Sequence, residues 1–279
     1  SLTSKSPLTG LFLNNQIGGS IGPELKFAGY DGIVIDGRSE VPVFINITPN
    51  VLEILSASFL KKKKTSMKEK LIKEKINNYR AKVLTIGIAG ENLVPFASVS
   101  SEFFRTAGRG GIGAVFGSKN LYGVAISSEN HDEMIGADPE GLEAIVDDLK
   151  QRSRQMKQSG GWINKFGTPY LINVASERDQ LPVKNFQEGT IDNPELINNV
   201  NEKAFHELFN VRKKACFKCP ISCAHIFTDM FTFAEPHEFV AVPEYESIAM
   251  LGSNCGIFDP LIIIKANHMA NNLGLDTIS

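Results

Sequence analysis

The chain has 279 residues, 42% hydrophobic and 22% charged, which is enough for one large domain or two ordinary ones around a real core. A net charge of −2 and a pI of about 6.2 leave no global field for nucleic acid. No apolar run approaches the ~20 residues of a membrane span, the opening SLTSKSPLTG has no signal-peptide core, and four cysteines, three of them within Cys216–Cys223, point to a reducing cytoplasm rather than a secreted disulfide framework.

The first part reads as short strands between turns. Residues 32–37 (GIVIDG) and 41–47 (VPVFINI) are β-rich and bounded by Gly, Asp and Pro, which predicts a pair of strands. A lysine-rich helix is expected over 66–80, with the cluster KKKKTSMKEKLIKEK from Lys61 forming its solvated face. Further strands are expected at 82–88, 93–100 and 121–127. Beyond about residue 131 the pattern turns helical. Asp138-Pro139 caps a helix with an apolar 3.6 period through Leu142, Ile145, Val146 and Leu149. In FDPLIIIKANHMANNLG, Asp259 is the expected N-cap, Pro260 the first helical residue and Gly274 the stop. The fold class expected is therefore α+β, with a sheet-rich domain over 1–131 and a mainly helical domain over 132–279.

The glycine-rich stretch RTAGRGGIGAVFGSKN (105–120) misses both nucleotide signatures. Gly111 and Gly113 are followed by Gly117, one residue late for G-x-G-x-x-G, and Gly117 is followed by Ser118 before Lys119, which breaks the phosphate-loop spacing. Two readings stay open: an anion cradle flanked by Arg105 and Arg109, or a tight loop packed on a sheet.

ACFKCPISCAH (215–225) is more specific. Three thiols in a C-x2-C-x3-C run can converge on one small centre, and three close cysteines with one distant ligand is an iron–sulfur arrangement. Zinc sites want a second pair, which is absent. His225, Cys255 and a residue outside this chain are the choices for a fourth ligand. Cys255 itself reads as a buried thiol, His206 as structural, and Trp162 as packing.

Seven blocks in order, GPELKFAGYDGIVIDG (22–37), AGEN (89–92), AGRGGIGAVFGSKN (107–120), PVKNFQEG (182–189), CFKCPISC (216–223), PEYES (243–247) and GLDTIS (274–279), resemble the tungsten-containing aldehyde:ferredoxin oxidoreductase family. Family members are roughly twice this length, with an N-terminal domain of paired sheets and two helical domains. The resemblance implies a partial chain, lacking the start of the first domain and the C-terminal part of the helical region.

Carried over by position, the resemblance implies that Cys216, Cys219 and Cys223 are three ligands of a [4Fe-4S] cluster whose fourth cysteine lies outside this chain. It implies that Arg105 and Thr106 stand beside the cofactor phosphates, where a backbone carbonyl helps to hold a bridging Mg2+. Gly18 corresponds to a pterin-contacting glycine. Gln16 stands where the family has an asparagine whose carbonyl makes a contact, so that contact either falls to Gln16 or passes to Asn15. Asn271 and Asp276 occupy the D-x-x-G-L-D/C motif, with Asn in place of the first Asp. Glu246 corresponds to an acid–base carboxylate near the metal, and without the resemblance it reads as a helix N-terminal residue. Lys265 replaces the glutamate of an E-x-x-H intersubunit iron site that ends at His268, which argues against that metal.

The function implied is oxidation of an aldehyde to a carboxylic acid at a tungsten (or molybdenum) bis-pyranopterin, with electrons passed through the cluster to ferredoxin. Partners are then the aldehyde, ferredoxin and either a complementary C-terminal half or a second copy, with no nucleic acid and no membrane. The alternatives are a cluster-binding electron-transfer or interaction protein without its own active site, and a zinc-stapled structural domain.

Overall fold

The computed structural model describes residues 1–129, 131, 136–159 and 161–279. It divides into two compact units: Ser1–His131 with Ala234–Phe239 and Lys265–Ser279, and Asp132–Phe233 with Val240–Ile264. The boundary expected after residue 131 abuts residues 132–135, which lie outside the described residues.

In the first unit β1 (Leu2–Lys5) and β2 (Phe12–Asn15) form a hairpin, followed by α1 (Ile21–Phe27). A six-stranded sheet is then built from β3 (Val43–Ile47), β4 (Leu52–Ser56), β5 (Lys82–Ile86), β6 (Val99–Ser101), β7 (Arg105–Ala107) and β8 (Leu121–Ile126), in the order β4-β3-β8-β5-β6-β7. Only β3 and β8 pair in parallel. Helices α2 (Thr65–Lys75), α3 (Ile88–Glu91) and α4 (Ile112–Ser118) complete the unit. The core gathers Phe44, Ile47, Leu60, Ile72, Val83, Ile86, Val99, Ile112 and Val124, each nearly or fully buried. Such a side chain contributes about 1.5–3 kcal/mol.

The structure corrects three of the sequence expectations here. The strand expected at 93–100 is confined to β6, because residues 93–98 turn over the end of α3 and Asn92 N–H and Val94 N–H bond to Ile88 O and Ala89 O instead of to a neighbouring strand. Residues 32–37 have no ladder partner and Val34 is 97% exposed, so they form no strand. The partner of β3 is instead β4, joined by a tight turn in which Thr48 N–H donates to Val51 O (2.8 Å). The lysine-rich helix is likewise more than a solvated face: Thr65, Ser66, Lys68, Glu69 and Ile72 of α2 are buried. Lys68, fully buried, donates to Ile86 O (2.8 Å), pairs with the Glu91 carboxylate and lies 4.6 Å over the Tyr122 ring. Burial pushes the Lys68 ammonium down, opposed by Glu91. Burial also raises the Tyr122 phenol to about 12, and the Glu91 charge adds to it.

The second unit contains α5 (Pro139–Gln158), α6 (Trp162–Phe166), α7 (Leu171–Glu177), α8 (Pro194–Asn198), α9 (Glu202–Glu207), the hairpin of β9 (Val211–Lys214) and β10 (Ala224–Phe227), and α10 (Tyr245–Leu251). The last helix, α11 (Pro260–Leu273), divides between the units at 264/265. Sheets come first and helices follow, as expected. The two caps read from the sequence are present: Asp138 Oδ1 accepts from Gly141 N–H (2.9 Å) and Asp259 Oδ1 from Leu261 N–H (2.8 Å). Among the described residues no single helix is long and apolar enough to cross a membrane.

Two segments return to the first unit because polar groups hold them there. The Glu238 side chain is 1% exposed, and its carboxylate accepts from His268 Nε2 (2.9 Å), Asn272 Nδ2 (3.1 Å), Glu235 N–H (3.0 Å) and Ser66 Oγ. Burial alone would raise this carboxyl, but the hydrogen bonds from His268, Ser66 and Glu235 outweigh it and bring it down to about 2. Its stabilising contribution is therefore whole above about pH 4.5, the ordinary value, and is lost as the pH falls towards 2. Replacing Glu238 by Gln is expected to cost about 3 kcal/mol at pH 7, because buried donors lose their charged acceptor. In chemical denaturation the gap between wild type and E238Q should close between pH 4.5 and 2, and equal stability at pH 7 would contradict the assignment.

Candidate cofactor and cluster sites

The three chain segments singled out for cofactor contact are brought together within the first unit. Residues 15–20 form the link from β2 to α1, and the Asn15 side-chain amide donates to Arg109 O. Asn15 is thus committed to fixing the loop, whereas Gln16 is exposed and its amide reaches only Asn14 Oδ1 (3.4 Å). Gly18 is exposed on the same loop.

Arg105 and Thr106 lie on β7, the edge strand of the six-stranded sheet, so the backbone groups on its outer side fall outside the ladder. The Arg105 guanidinium stacks 4.9 Å from the Phe104 ring centroid. On β6 and just before it, the hydroxyls of Ser98, Ser100 and Ser101 are buried without a hydrogen-bond partner among the described residues. Ser100 pairs with Thr106 and Ser101 with Arg105, and as successive strand residues they face opposite sides of the sheet, so the three hydroxyls do not converge on one point.

The third segment arrives from α11. Ser98 N–H donates to Gly274 O (2.8 Å) and Asp276 N–H to Phe96 O (3.1 Å). Asp276 is buried, its Oδ2 accepts from Ser279 N–H (3.0 Å) and Ser279 Oγ (2.6 Å), and its Oδ1 would lie 3.1 Å from a Cβ at Gly108. Asn271 is fixed through its carbonyl, which accepts from Thr65 Oγ1 (3.0 Å).

The glycine run has a packing explanation. A Cβ at Gly111 would stand 1.9 Å from Pro95 O, one at Gly113 2.4 Å from Ser98 O, and one at Gly117 1.9 Å from Gly90 O. These glycines let α4 lie directly on the 90–98 backbone.

The cysteines lie in the second unit, on the connection between β9 and β10. Lys214 pairs with Ala224 at the neck of this hairpin, which draws Cys216 and Cys223 towards its base. Cys219 N–H donates to Cys216 O (3.0 Å), and Lys218 (φ 51°) and Ser222 (φ 55°) adopt left-handed backbone that folds the loop back on itself. All three cysteines are half-buried and none is in a disulfide. Their thiols are not drawn to a common point: among the described residues no three His, Cys, Asp or Glu side chains close on a metal-sized position. The donor set is that of a soft-metal or iron–sulfur centre.

Cys255 is exposed rather than buried, because the turn at Ser253–Cys255 ends on left-handed Gly256 and leaves the thiol outside, near Met250 O (3.2 Å). His225 is buried beside Cys223. Burial brings its imidazole down to about 4, with His206 and Lys213 acting in the same direction. His206 sits between the Phe166 and His225 rings at 5.2 and 5.1 Å and meets Glu202 O through Nδ1 (2.8 Å), which is a structural placement. Trp162 stacks on Phe166 at 5.7 Å while remaining 54% exposed.

Glu246 occupies the first turn of α10 and is exposed. Lys265 is exposed, and His268 is engaged by Glu238 rather than presented for a metal. The residues that sequence spacing could not disclose are Glu238 and Glu102, whose hydrogen bonds span 30 and 82 positions.

Comparison with known proteins gives the same assignment from both units. Residues 1–128 match the family model for the aldehyde ferredoxin oxidoreductase N-terminal domain, and residues 144–279 match that for domains 2 and 3 of the same family. The chain is 42% identical over 279 residues to the tungsten-containing aldehyde ferredoxin oxidoreductase of Pyrococcus furiosus, covering all of this chain and 44% of that protein. With the protein of the same description from Pyrococcus horikoshii it shares 38% over 276 residues, which is 99% of this chain and 44% of the relative. Among solved structures it resembles the active-site complex BamBC of benzoyl coenzyme A reductase in complex with 1,5-dienoyl-CoA. That match has a TM-score of 0.82 at 25% identity and covers 99% of this chain and 42% of the other. The chain thus spans less than half the length of the relatives it matches. Two family domains matched in order, over a fold in which the 15–20, 105–108 and 271–276 segments meet, mean that this chain belongs to the aldehyde ferredoxin oxidoreductase family.

Proposed function

We propose that this chain is part of a tungstopterin oxidoreductase that converts aldehydes to carboxylic acids and passes the electrons through a [4Fe-4S] cluster to ferredoxin. The observation that carries the reading is the meeting, in one unit, of the loop at 15–20, the hairpin that carries the Arg105–Thr106 edge strand, and Asp276. A bis-pyranopterin holding tungsten or molybdenum supplies the two-electron oxidation of an aldehyde with an oxygen taken from water, and an iron–sulfur cluster carries electrons away one at a time.

This chain's own residues would hold and orient those groups. Arg105 supplies fixed positive charge for the pterin phosphates, and the outer carbonyls of β7, that of Thr106 in particular, offer hard oxygen ligands of the kind Mg2+ takes. Gly18, on the exposed loop, allows close approach of backbone to a ring, with Gln16 beside it. Asn271 and Asp276 bring an amide and a carboxylate from the end of α11. Cys216, Cys219 and Cys223 would hold three irons of the cluster, with the fourth thiolate supplied from outside this chain. Glu246 is assigned as the carboxylate that accepts a proton as water adds to the aldehyde carbon. Its partners in turnover would be the aldehyde, ferredoxin and either a complementary C-terminal portion or a second copy of the chain.

Elemental analysis of the anaerobically purified protein carrying this chain is expected to find tungsten or molybdenum together with iron. Iron alone would favour an electron carrier without an active site, and zinc alone would overturn the reading. Cys216→Ser should lose iron while retaining tungsten or molybdenum. Steady-state kinetics of Glu246→Gln should show kcat reduced by about 10²-fold or more with KM little altered, as expected for loss of a general base; wild-type kcat in that variant would remove Glu246 from the chemistry.

A further inference from the structure

Arg105 and Thr106 follow an unusual turn. Ser101 pairs with Arg105 across the β6–β7 hairpin, so residues 102–104 form its loop. Glu102 (φ 51°) and Phe103 (φ 68°) are both left-handed, although neither is glycine or asparagine. Two consecutive bulky residues in this region carry backbone strain, which persists only where neighbours over-determine the conformation.

Those neighbours are visible. Phe103 N–H donates to Glu69 Oε2 (2.9 Å), Lys73 Nζ lies 5.0 Å from the Phe103 ring centroid, and Phe239 packs edge-on to that ring at 5.7 Å. Burial raises the Glu69 carboxyl, although Lys73 and the Phe103 amide act against it, and the Glu102 charge adds to the rise. The Glu102 side chain turns the other way, onto the loop at 15–20. Its Oε1 accepts from Ser20 N–H (2.6 Å), and it lies so close to Gly19 (φ +95°) that a Cβ there would stand 2.8 Å from the same oxygen.

One carboxylate therefore links the two segments assigned to the cofactor. It grips the backbone next to Gly18, while its own backbone sets the strand that carries Arg105 and Thr106. We propose that Glu102 is a positioning residue that clamps the 15–20 loop to the β6–β7 hairpin, holding the pterin-contacting loop and the phosphate-contacting strand at a fixed separation. The inference rests on the cofactor reading above for what the clamp serves; the clamp itself rests on the Ser20–Glu102 and Phe103–Glu69 hydrogen bonds.

The test uses the cofactor-loaded protein carrying this chain, as wild type, E102A and E102Q. Two quantities are followed: peptide-level hydrogen exchange over 15–20 and 99–107, and the rate of tungsten or molybdenum loss into cofactor-free buffer. E102A should speed both by at least ~10-fold, the scale of one hydrogen bond to a charged acceptor, with exchange in α2 and β3 unchanged. E102Q, whose amide oxygen can still accept from Ser20 N–H, should restore both to within about 3-fold of wild type.

Unaltered rates in E102A overturn the clamp. So does E102Q failing as badly as E102A, since an oxygen accepting from Ser20 N–H would then not be what holds the loop, and so does exchange rising uniformly through the unit, which would mark a general loss of structure. If E102A does not fold, E102D withdraws the carboxylate by one methylene and must give the same localised increase, failing which the proposal is wrong. Wild-type protein that carries neither tungsten nor molybdenum would refute the cofactor reading instead, and the exchange arm would then decide the clamp by itself.

Discussion

A close contact between two stretches of backbone governs where the candidate site forms. A Cβ at Gly87 would stand 2.1 Å from Leu273 O and 2.5 Å from Gly274 N, so only a residue without a side chain lets the end of α11 lie against the turn after β5. With that contact made, Ser98 N–H and Gly274 O come into hydrogen-bond range, Asp276 N–H reaches Phe96 O, and the Asp276 carboxylate lies over Gly108. The polar half of the candidate cradle thus depends on a residue whose contribution is the absence of a side chain. Glycines 111, 113 and 117 do the same for α4.

Buried charge then locks what close packing permits. Glu91, Glu69 and Glu238 each take a fixed set of donors: Lys68 and the Lys62 N–H, Lys73 and the Phe103 N–H, and His268, Asn272, Ser66 and the Glu235 N–H. Four of these donors or acceptors, Ser66, Lys68, Glu69 and Lys73, lie on α2, so this helix is the polar spine of the first unit as well as an apolar lid on the sheet. Such pairs are costly to bury and more costly to break, which makes them devices of specificity: each tolerates one arrangement of the segments it joins.

Elements with strong local signals were legible in the sequence. The Asp138-Pro139 and Asp259-Pro260 starts and the Gly274 stop are encoded within a few residues, and the helices begin and end there. The strand expected at 32–37 failed because β-propensity alone does not supply a ladder partner, and β4 was missed because Glu53 and Ser56 interrupt a short run whose pairing is set by a turn. The lysine cluster misled for a similar reason. A buried Lys68 needs Glu91, Ile86 O and the Tyr122 ring, none of which is near it in sequence. For the site, the cysteine spacing and the glycine run were visible as chemistry, while the roles proposed for Gly18, Arg105, Asn271 and Asp276 rest on resemblance to a family. Glu102 and Glu238 could not be found either way from one sequence, because a carboxylate bonded across the fold leaves no periodic trace.

The central claim is that residues 15–20, 105–108 and 276 surround one metal–pterin group. Anomalous diffraction from crystals of the anaerobically purified protein, collected on both sides of the tungsten and molybdenum edges, tests it directly. The account predicts a strong edge-dependent peak beside Arg105, Gly108 and Asp276, separate from iron signal at Cys216, Cys219 and Cys223. A peak at the cysteines alone, or zinc there with nothing beside Asp276, would contradict it.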